Sequence, residues 1–171
     1  MKTQRYKKPE AVKRLEDALL AEKAKRYKLT EPDLLIRPDL TDKTANGLTK
    51  CIIQYVRLRG GQAERINTMG RPIDRRKVYQ DAVGLTRSIG SIEWVKGTGT
   101  NGSADISATI AGKSVKIEVK IGADRQSEAQ KKYQADIERA GGLYVIAKDF
   151  TSFVEWYDQT CRKEVDNGYM E

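Results

Sequence analysis

Three side chains in one stretch, ADISATIAGKSVKIEVK from Ala104 to Lys120, are of types and spacing suited to metal chemistry. In SVKIEVKI, Val115, Ile117, Val119 and Ile121 alternate with Lys116, Glu118 and Lys120, the period-two pattern of a strand with one buried face. ADISATI alternates likewise, with Ala104, Ile106, Ala108 and Ile110 against Asp105, Ser107 and Thr109. With Ala111-Gly112 as a two-residue turn, 110 faces 113 and Asp105 faces Glu118, their Cβ atoms roughly 5 Å apart. A three-residue turn would slide the register by one and leave the pair diagonal.

Like charges facing each other destabilise a hairpin unless something positive lies between them. Mg²⁺ fits that gap, because it usually takes one or two protein carboxylates and completes its octahedron with water and substrate phosphate. Asp105 and Glu118 supply two ligands, and the backbone carbonyl of Val119 is a third candidate. Such a cation polarises phosphoryl oxygens and makes hydroxide available near neutral pH. Lys120, on the same strand face as Glu118, can orient the water or offset transition-state charge, and Gln130 on the next helix can hydrogen-bond water or phosphate. Plainer readings stand beside these: a solvated hairpin face, Lys120 as the ion-pair partner of Glu118, and Gln130 as a helix-capping residue.

The elements around the hairpin describe an α/β sandwich on a mixed sheet. KKPEAVKRLEDALLAEKAKRYKL has helical spacing at Val12, Leu15 and Leu19, and TEPDLLIRPDLTDKTANG reads as a linker. LTKCIIQYVRLRGG puts Leu48, Cys51, Ile52, Tyr55 and Val56 on one helical face and stops at Gly60-Gly61. QAERINT reads as a strand carrying Arg65 and Asn67. KVYQDAV and SIEWVKG read as strands or arms, GTGTNGS as a loop, and Trp94 and Tyr79 as core or edge residues with base stacking the less expected role. DRQSEAQKKYQADIERAGG reads as a helix opened by a Ser127/Gln130 capping box, with Ala129, Tyr133, Ile137 and Ala140 inward. LYVIA reads as a strand buried on both faces, and DFTSFVEWYDQTCRKEV as a last helix with Phe150, Phe153, Val154, Tyr157 and Cys161 inward and Trp156 in the core.

The chain has 171 residues and a formal charge of +8, from 32 Lys and Arg against 24 Asp and Glu. Basic residues concentrate between Arg57 and Lys77, where Arg57, Arg59, Arg65, Arg71, Arg75, Arg76 and Lys77 meet only Glu64 and Asp74. Such a patch suits a polyanion, since cations that neutralise phosphates release condensed counterions. There is no histidine, which excludes histidine-base nucleases, Ser-His-Asp hydrolases and His-ligated zinc. Cys51 and Cys161 have no C-x-x-C partner and read as reduced core thiols. No apolar run is long enough for a membrane span and MKTQRYKKPE lacks a signal-peptide core, so a cytoplasmic protein without a membrane partner is expected.

AD at 104–105, EVK at 118–120 and a following helix with Gln130 resemble the PD-(D/E)XK nuclease signature. The segments LTKCIIQYVRLRGG, ERINTMG, GTNGSADI, IEVK, DRQSEAQ and AGGLYVIAKDF, from about Asn46 to Trp156, resemble its VRR-NUC branch, which includes phage Holliday-junction resolvase-like proteins. The resemblance implies a restriction-endonuclease-like αβββαβ core with a mixed central sheet flanked by helices, in a domain over 44–171. Residues 1–43 add an N-terminal helix and linker. It implies dependence on Mg²⁺, with Mn²⁺ substituting, and structure-selective cleavage of branched or flapped DNA in phage replication, repair or recombination. Carried onto this chain, Asp105 and Glu118 are metal ligands, Lys120 is catalytic and Gln130 supportive. Ala104 stands where the family has proline, and Ala45, Asn46 and Gly47 stand where many relatives have an acid, which leaves one ion or two open.

Lys50, Arg65, Asn67, Arg71, Arg75, Arg76, Lys77 and Lys131 are the expected DNA contacts, placed to hold backbone and not to read sequence. A junction resolvase that makes paired cuts would be a homodimer, whereas a flap nuclease can be a monomer. The other reading is a DNA-binding accessory protein whose nuclease site has decayed.

Overall fold

Alternating β-branched residues give Ile106–Ile110 and Lys113–Val119 one apolar edge each, and a two-residue turn lets those edges face the same way. In the computed structural model, which describes residues 6–67, 70–95, 97 and 99–160, the turn is Ala111-Gly112, with φ of 47° and 75°. The hairpin pairs Ile110 with Lys113, Ser107 with Lys116 and Ile106 with Ile117, which is the two-residue-turn register.

In chain order the elements are α1 (Glu10–Arg26), α2 (Ala45–Leu58), β1 (Gln62–Arg65), β2 (Arg71–Asp74), β3 (Lys77–Gln80), β4 (Thr86–Ile89) and β5 (Ile92–Val95). They continue with β6 (Ile106–Ile110), β7 (Lys113–Val119), α3 (Glu128–Arg139), β8 (Leu143–Ala147) and α4 (Phe150–Thr160), and a short 3-10 turn covers Pro32–Leu34. The central sheet has the order β1-β6-β7-β8. Its first three strands are antiparallel neighbours and β8 runs parallel to β7, so the protein is mixed α/β with a mixed sheet flanked by helices. None of the described helices is long and apolar enough to cross a membrane.

One face of this sheet is dry. Ile106, Ala108, Ile110, Val115, Ile117 and Val119 are buried with Leu48, Cys51, Ile52, Tyr55 and Val56 of α2 and Phe150, Phe153 and Tyr157 of α4. Tyr55 meets Phe150, Phe153 and Tyr157 edge-on, at centroid distances of 5.7, 6.3 and 5.2 Å. Burial pushes the Cys51 thiol up to about 12, so it is an inert core group, whereas Cys161 lies outside the described residues. Trp156 is half-buried against this core and packs on Phe153.

Val12, Leu15 and Leu40 belong to the same cluster, so α1 and the start of α2 share one core. Glu16 of α1 is buried and accepts hydrogen bonds from Lys8 Nζ at 2.7 Å and from the Leu40 amide at 2.7 Å. That pair of bonds ties α1 to the chain entering α2.

Three expectations change. LYVIA is not buried on both faces, because β8 ends the sheet and Ile146 is exposed. No residue of α3 is fully buried, and Ala140 caps the helix in the open. Its stripe is half-buried because α3 covers only the outer part of the second face, where Tyr133 meets Tyr144 edge-on at 6.5 Å. Third, the basic run Arg71–Lys77 is not a loop.

Instead β2 pairs with β5 and β3 with β4 in one shared register, Arg71 opposite Val95 at one end and Gln80 opposite Thr86 at the other. The result is a single antiparallel ribbon, roughly 30 Å long at about 3.3 Å per residue. Asp81 closes its tip by accepting from the amides of Val83 and Leu85, both at 3.0 Å. None of the described residues covers the ribbon, and Val78, Tyr79, Ile89, Ile92 and Trp94 are all exposed, which excludes a core position for Tyr79 and Trp94 and leaves the edge.

Candidate metal and catalytic centre

The second face of the sheet collects what the first excludes. Ile106 opposite Ile117 is the last ladder pair of the hairpin, and Asp105 sits one residue beyond it on the way to Glu118. Asp105 is pinned twice: its carbonyl accepts from the Ile66 amide at 2.8 Å, and its Oδ2 accepts from the Val119 amide at 2.9 Å. The Val119 carbonyl leaves the same edge of β7 as that amide, because one residue's N–H and C=O share an edge in a strand. All three predicted ligand positions therefore meet at the end of β7.

Glu118 is 2 % exposed. Its Oε1 takes hydrogen bonds from Gln130 Nε2 and from Lys120 Nζ at 3.1 Å, whereas its Oε2 is buried with no hydrogen-bond partner among the described residues. A buried carboxylate oxygen with no donor is costly and calls for an explanation. Burial, with the Asp105 charge adding to it, raises the Glu118 pKa above its ordinary value even though Lys120 pulls the other way. Burial would lower the Lys120 pKa, but its bonds to Glu118 and to Asp124 at 3.3 Å raise it on balance, so it is an ammonium. Glu118 and Asp124 thus both hold the Lys120 ammonium, while Asp105 faces Glu118.

Gln130 caps α3 as expected, and its side-chain nitrogen makes a bond the sequence did not foretell, to Glu118. The capping box is complete: Ser127 Oγ accepts from the Gln130 amide, and Gln130 Oε1 accepts from the Ser127 amide at 2.9 Å. With its oxygen held by that N–H, the amide must aim its nitrogen outward, and Glu118 is what it meets. The helix start therefore orients the carboxylate.

Two clefts flank the centre. One is basic, lined by Lys120, Asp124, Arg125, Lys131, Ile146 and Lys148. The other is polar, has no charged side chain among its described residues, and runs from Gln130 and Ser127 past the 99–103 loop to Trp94 at the foot of the ribbon. Arg125 and Lys148 were missed by the sequence reading. Lys148 had a usable signal, because Glu118 pairs with Ile146 and the residue two further on shares its face.

The other expected contacts scatter. Lys50 lines a separate cleft between α1 and α2, beside Leu19, Lys23 and Asp39. Arg65 pairs with Ile106, so the register sends it to the side of the sheet away from Glu118, and Asn67 is exposed beyond the end of β1. Arg71, Arg75, Arg76 and Lys77 lie along the ribbon, where Arg75 pairs with Glu93 at 2.6 Å and Arg76 with Asp74 at 2.6 Å. Lys131 reaches Glu128 at 2.8 Å on the exposed side of α3.

Among the described residues no group of three or more His, Cys, Asp or Glu side chains is placed to hold a metal, and Asn46 is exposed in the first turn of α2. An ion here would draw on two carboxylates and a carbonyl, which suits Mg²⁺ better than a metal needing a full protein cage. No protein-family model and no curated protein matches the chain. Fold and site together define a mixed α/β protein with a paired-carboxylate centre at one sheet end.

Proposed function

We propose that the chain is a divalent-metal-dependent endodeoxyribonuclease of restriction-endonuclease-like architecture that hydrolyses phosphodiester bonds in branched or flapped DNA. The observation that carries this reading is Glu118 Oε2, a buried acceptor without a donor beside a second carboxylate. Asp105, Glu118 and the Val119 carbonyl would hold Mg²⁺ or Mn²⁺. The bound ion would supply Lewis acidity toward phosphate and a more available hydroxide.

The protein's own groups divide the remaining work. Gln130 and Lys120 hold one oxygen of Glu118 and leave the other for the ion. Asp105 keeps one oxygen on the Val119 amide, which fixes the angle of the other. Lys120 sits where charge develops on a phosphate brought to the carboxylates, and a pre-placed ammonium there favours the transition state. Arg125, Lys131 and Lys148 would hold the flanking backbone, with Arg71 and Lys77 reaching phosphates farther out. Paired cuts in a four-way junction would in addition require a two-fold dimer.

The exposed amide at Asn46, in the place of an acid, favours one alternative: a DNA-binding accessory protein without catalysis. A single gel separates the two. Four-way junction, flap, duplex and single strand are incubated with Mg²⁺ or Mn²⁺ and wild-type protein, Asp105→Ala or Glu118→Ala. The nuclease reading expects metal-dependent cuts in branched DNA that both substitutions abolish while binding persists. Variants that cut as well as wild type would overturn it, and salt-sensitive binding without cleavage by any form would establish the accessory protein.

A further inference from the structure

The uncharged cleft beside the carboxylates has a composition that differs from a phosphate site. Its wall is the indole of Trp94, its floor carries Gln130 and Ser127, and its far side is the glycine-rich loop with Thr100, Asn101 and Ser103. Among the described residues no lysine, arginine or carboxylate lines it. Among those described residues a phosphate would find no counter-charge. A neutral ring with hydrogen-bonding edges and a π face would find an aromatic plane and a rim of hydroxyls, amides and backbone groups.

The indole is available: Trp94 is 64 % exposed, and Gly70 packs so closely on its edge that a Cβ there would lie 2.4 Å from Trp94 Nε1. On the opposite side Gly102, at φ +78°, packs so closely on α3 that a Cβ would lie 2.4 Å from the Ala129 carbonyl oxygen. Glycine at these two positions lets both walls stand close together. The cleft ends at Gln130, whose amide nitrogen is bonded to Glu118, so its occupant lies one side chain from the carboxylates. On the other side of the centre the cleft is basic. A strand running across the centre would thus leave phosphates on one side and a base on the other.

We propose that this cleft receives one unpaired nucleobase, stacked on Trp94, next to the phosphodiester that is cut. The assignment rests on the nuclease reading for its meaning, and it names the feature of a branch or flap that the site would recognise: a nucleotide free to leave its stack. Stacking of this kind tolerates every base, so it selects structure and not sequence.

The test is made without divalent metal, so that it does not depend on cleavage. In a Trp156→Phe background Trp94 is the sole tryptophan. Its emission is followed while an eight-nucleotide oligothymidine or a duplex of equal length is added, with anisotropy of end-labelled DNA read in parallel. The single strand is expected to quench Trp94 strongly and the duplex weakly. Trp94→Leu is expected to weaken single-strand binding about tenfold, within the range measured for loss of one base–aromatic stack, and Trp94→Phe to restore most of it. Equal affinity of the leucine variant, equal quenching by both DNAs, or no binding of either would overturn the proposal. Absence of metal-dependent cutting with quenching intact would instead overturn the nuclease reading and leave the base site standing.

Discussion

The two faces of the β6–β7–β8 sheet are built from alternate residues of the same strands, yet they solve opposite problems. Ile106, Ile117 and Val119 face α2 and α4 and are buried among apolar groups. Asp105, Glu118 and Lys120 point the other way, and two of the three are as buried as core residues: Glu118 is 2 % exposed and Lys120 8 %. On the first face burial itself is the source of stability, at roughly 25 cal/mol per Å² of apolar surface. On the second, burial is a cost that Gln130, Lys120 and the Val119 amide offset only in part, since Glu118 Oε2 stays bare. On the nuclease reading proposed above, this cost is kept because the geometry is held for a ligand.

Substitutions on the two faces should therefore separate activity from stability. The largest effect is expected from Glu118→Gln, which should lower cleavage by about 10³-fold or more while the thermal midpoint stays or rises, because the buried charge is removed and an oxygen remains to accept from Lys120. Ile117→Ala, one residue earlier, should do the reverse. It should cost about 3 kcal/mol in urea unfolding and leave cleavage per folded molecule unchanged. If Glu118→Gln proved the more destabilising of the two, the distinction between the faces would be lost.

Gln130→Ala tests the link between capping and orientation. Loss of the capping box should cost about 1 kcal/mol of stability. Cleavage should fall by a larger factor than a cap alone explains, because Glu118 is freed to turn. Gln130→Glu would keep the cap and place a carboxylate against Glu118, so recovered stability without recovered activity is the expected pattern.

Smaller effects should appear in the titration of Glu118, followed by carboxyl-carbon NMR in metal-free protein. Its folded pKa lies above the ordinary value through burial, with Asp105 adding to it and Lys120 opposing. Lys120→Met should therefore move it further up and Asp105→Asn should move it down. The sign for stability follows: the folded form binds this proton more tightly than the unfolded one. Its contribution is complete below the unfolded pKa and is lost as pH rises through the folded value. Shifts of the same sign in both variants would mean that the charges do not face one another.

The hairpin was legible in sequence because one period-two pattern ran through both strands and a two-residue turn at Ala111-Gly112 matched their apolar faces. The register, and with it the meeting of Asp105 and Glu118, followed from matching Ile106 to Ile117. Gln130 was legible as a cap, and its second bond needed the fold, since nothing local says that α3 begins over β7. The ribbon was not legible as one object. Its strands are four residues each, charged residues interrupt the alternation, and each strand has a single neighbour, so burial leaves no pattern to read. For the same reason the sequence left Trp94 between core and edge, because an aromatic residue in a strand pattern is ordinarily core. The place of α1 was hidden by Glu16, whose polar bonds to Lys8 and Leu40 do the joining that an apolar stripe usually does.

The claim on which the rest depends is that Asp105 and Glu118 share one divalent ion, and Mn²⁺ reports it without any DNA. Substoichiometric Mn²⁺ added to isotope-labelled protein should broaden the amide resonances of Ile106, Glu118, Val119 and Lys120 first. Those of the ribbon and of α1 should stay sharp, and Glu118→Ala should remove the selectivity. Uniform broadening, or broadening centred on exposed carboxylates such as Glu10 or Asp39 and unchanged in the variant, would contradict the account.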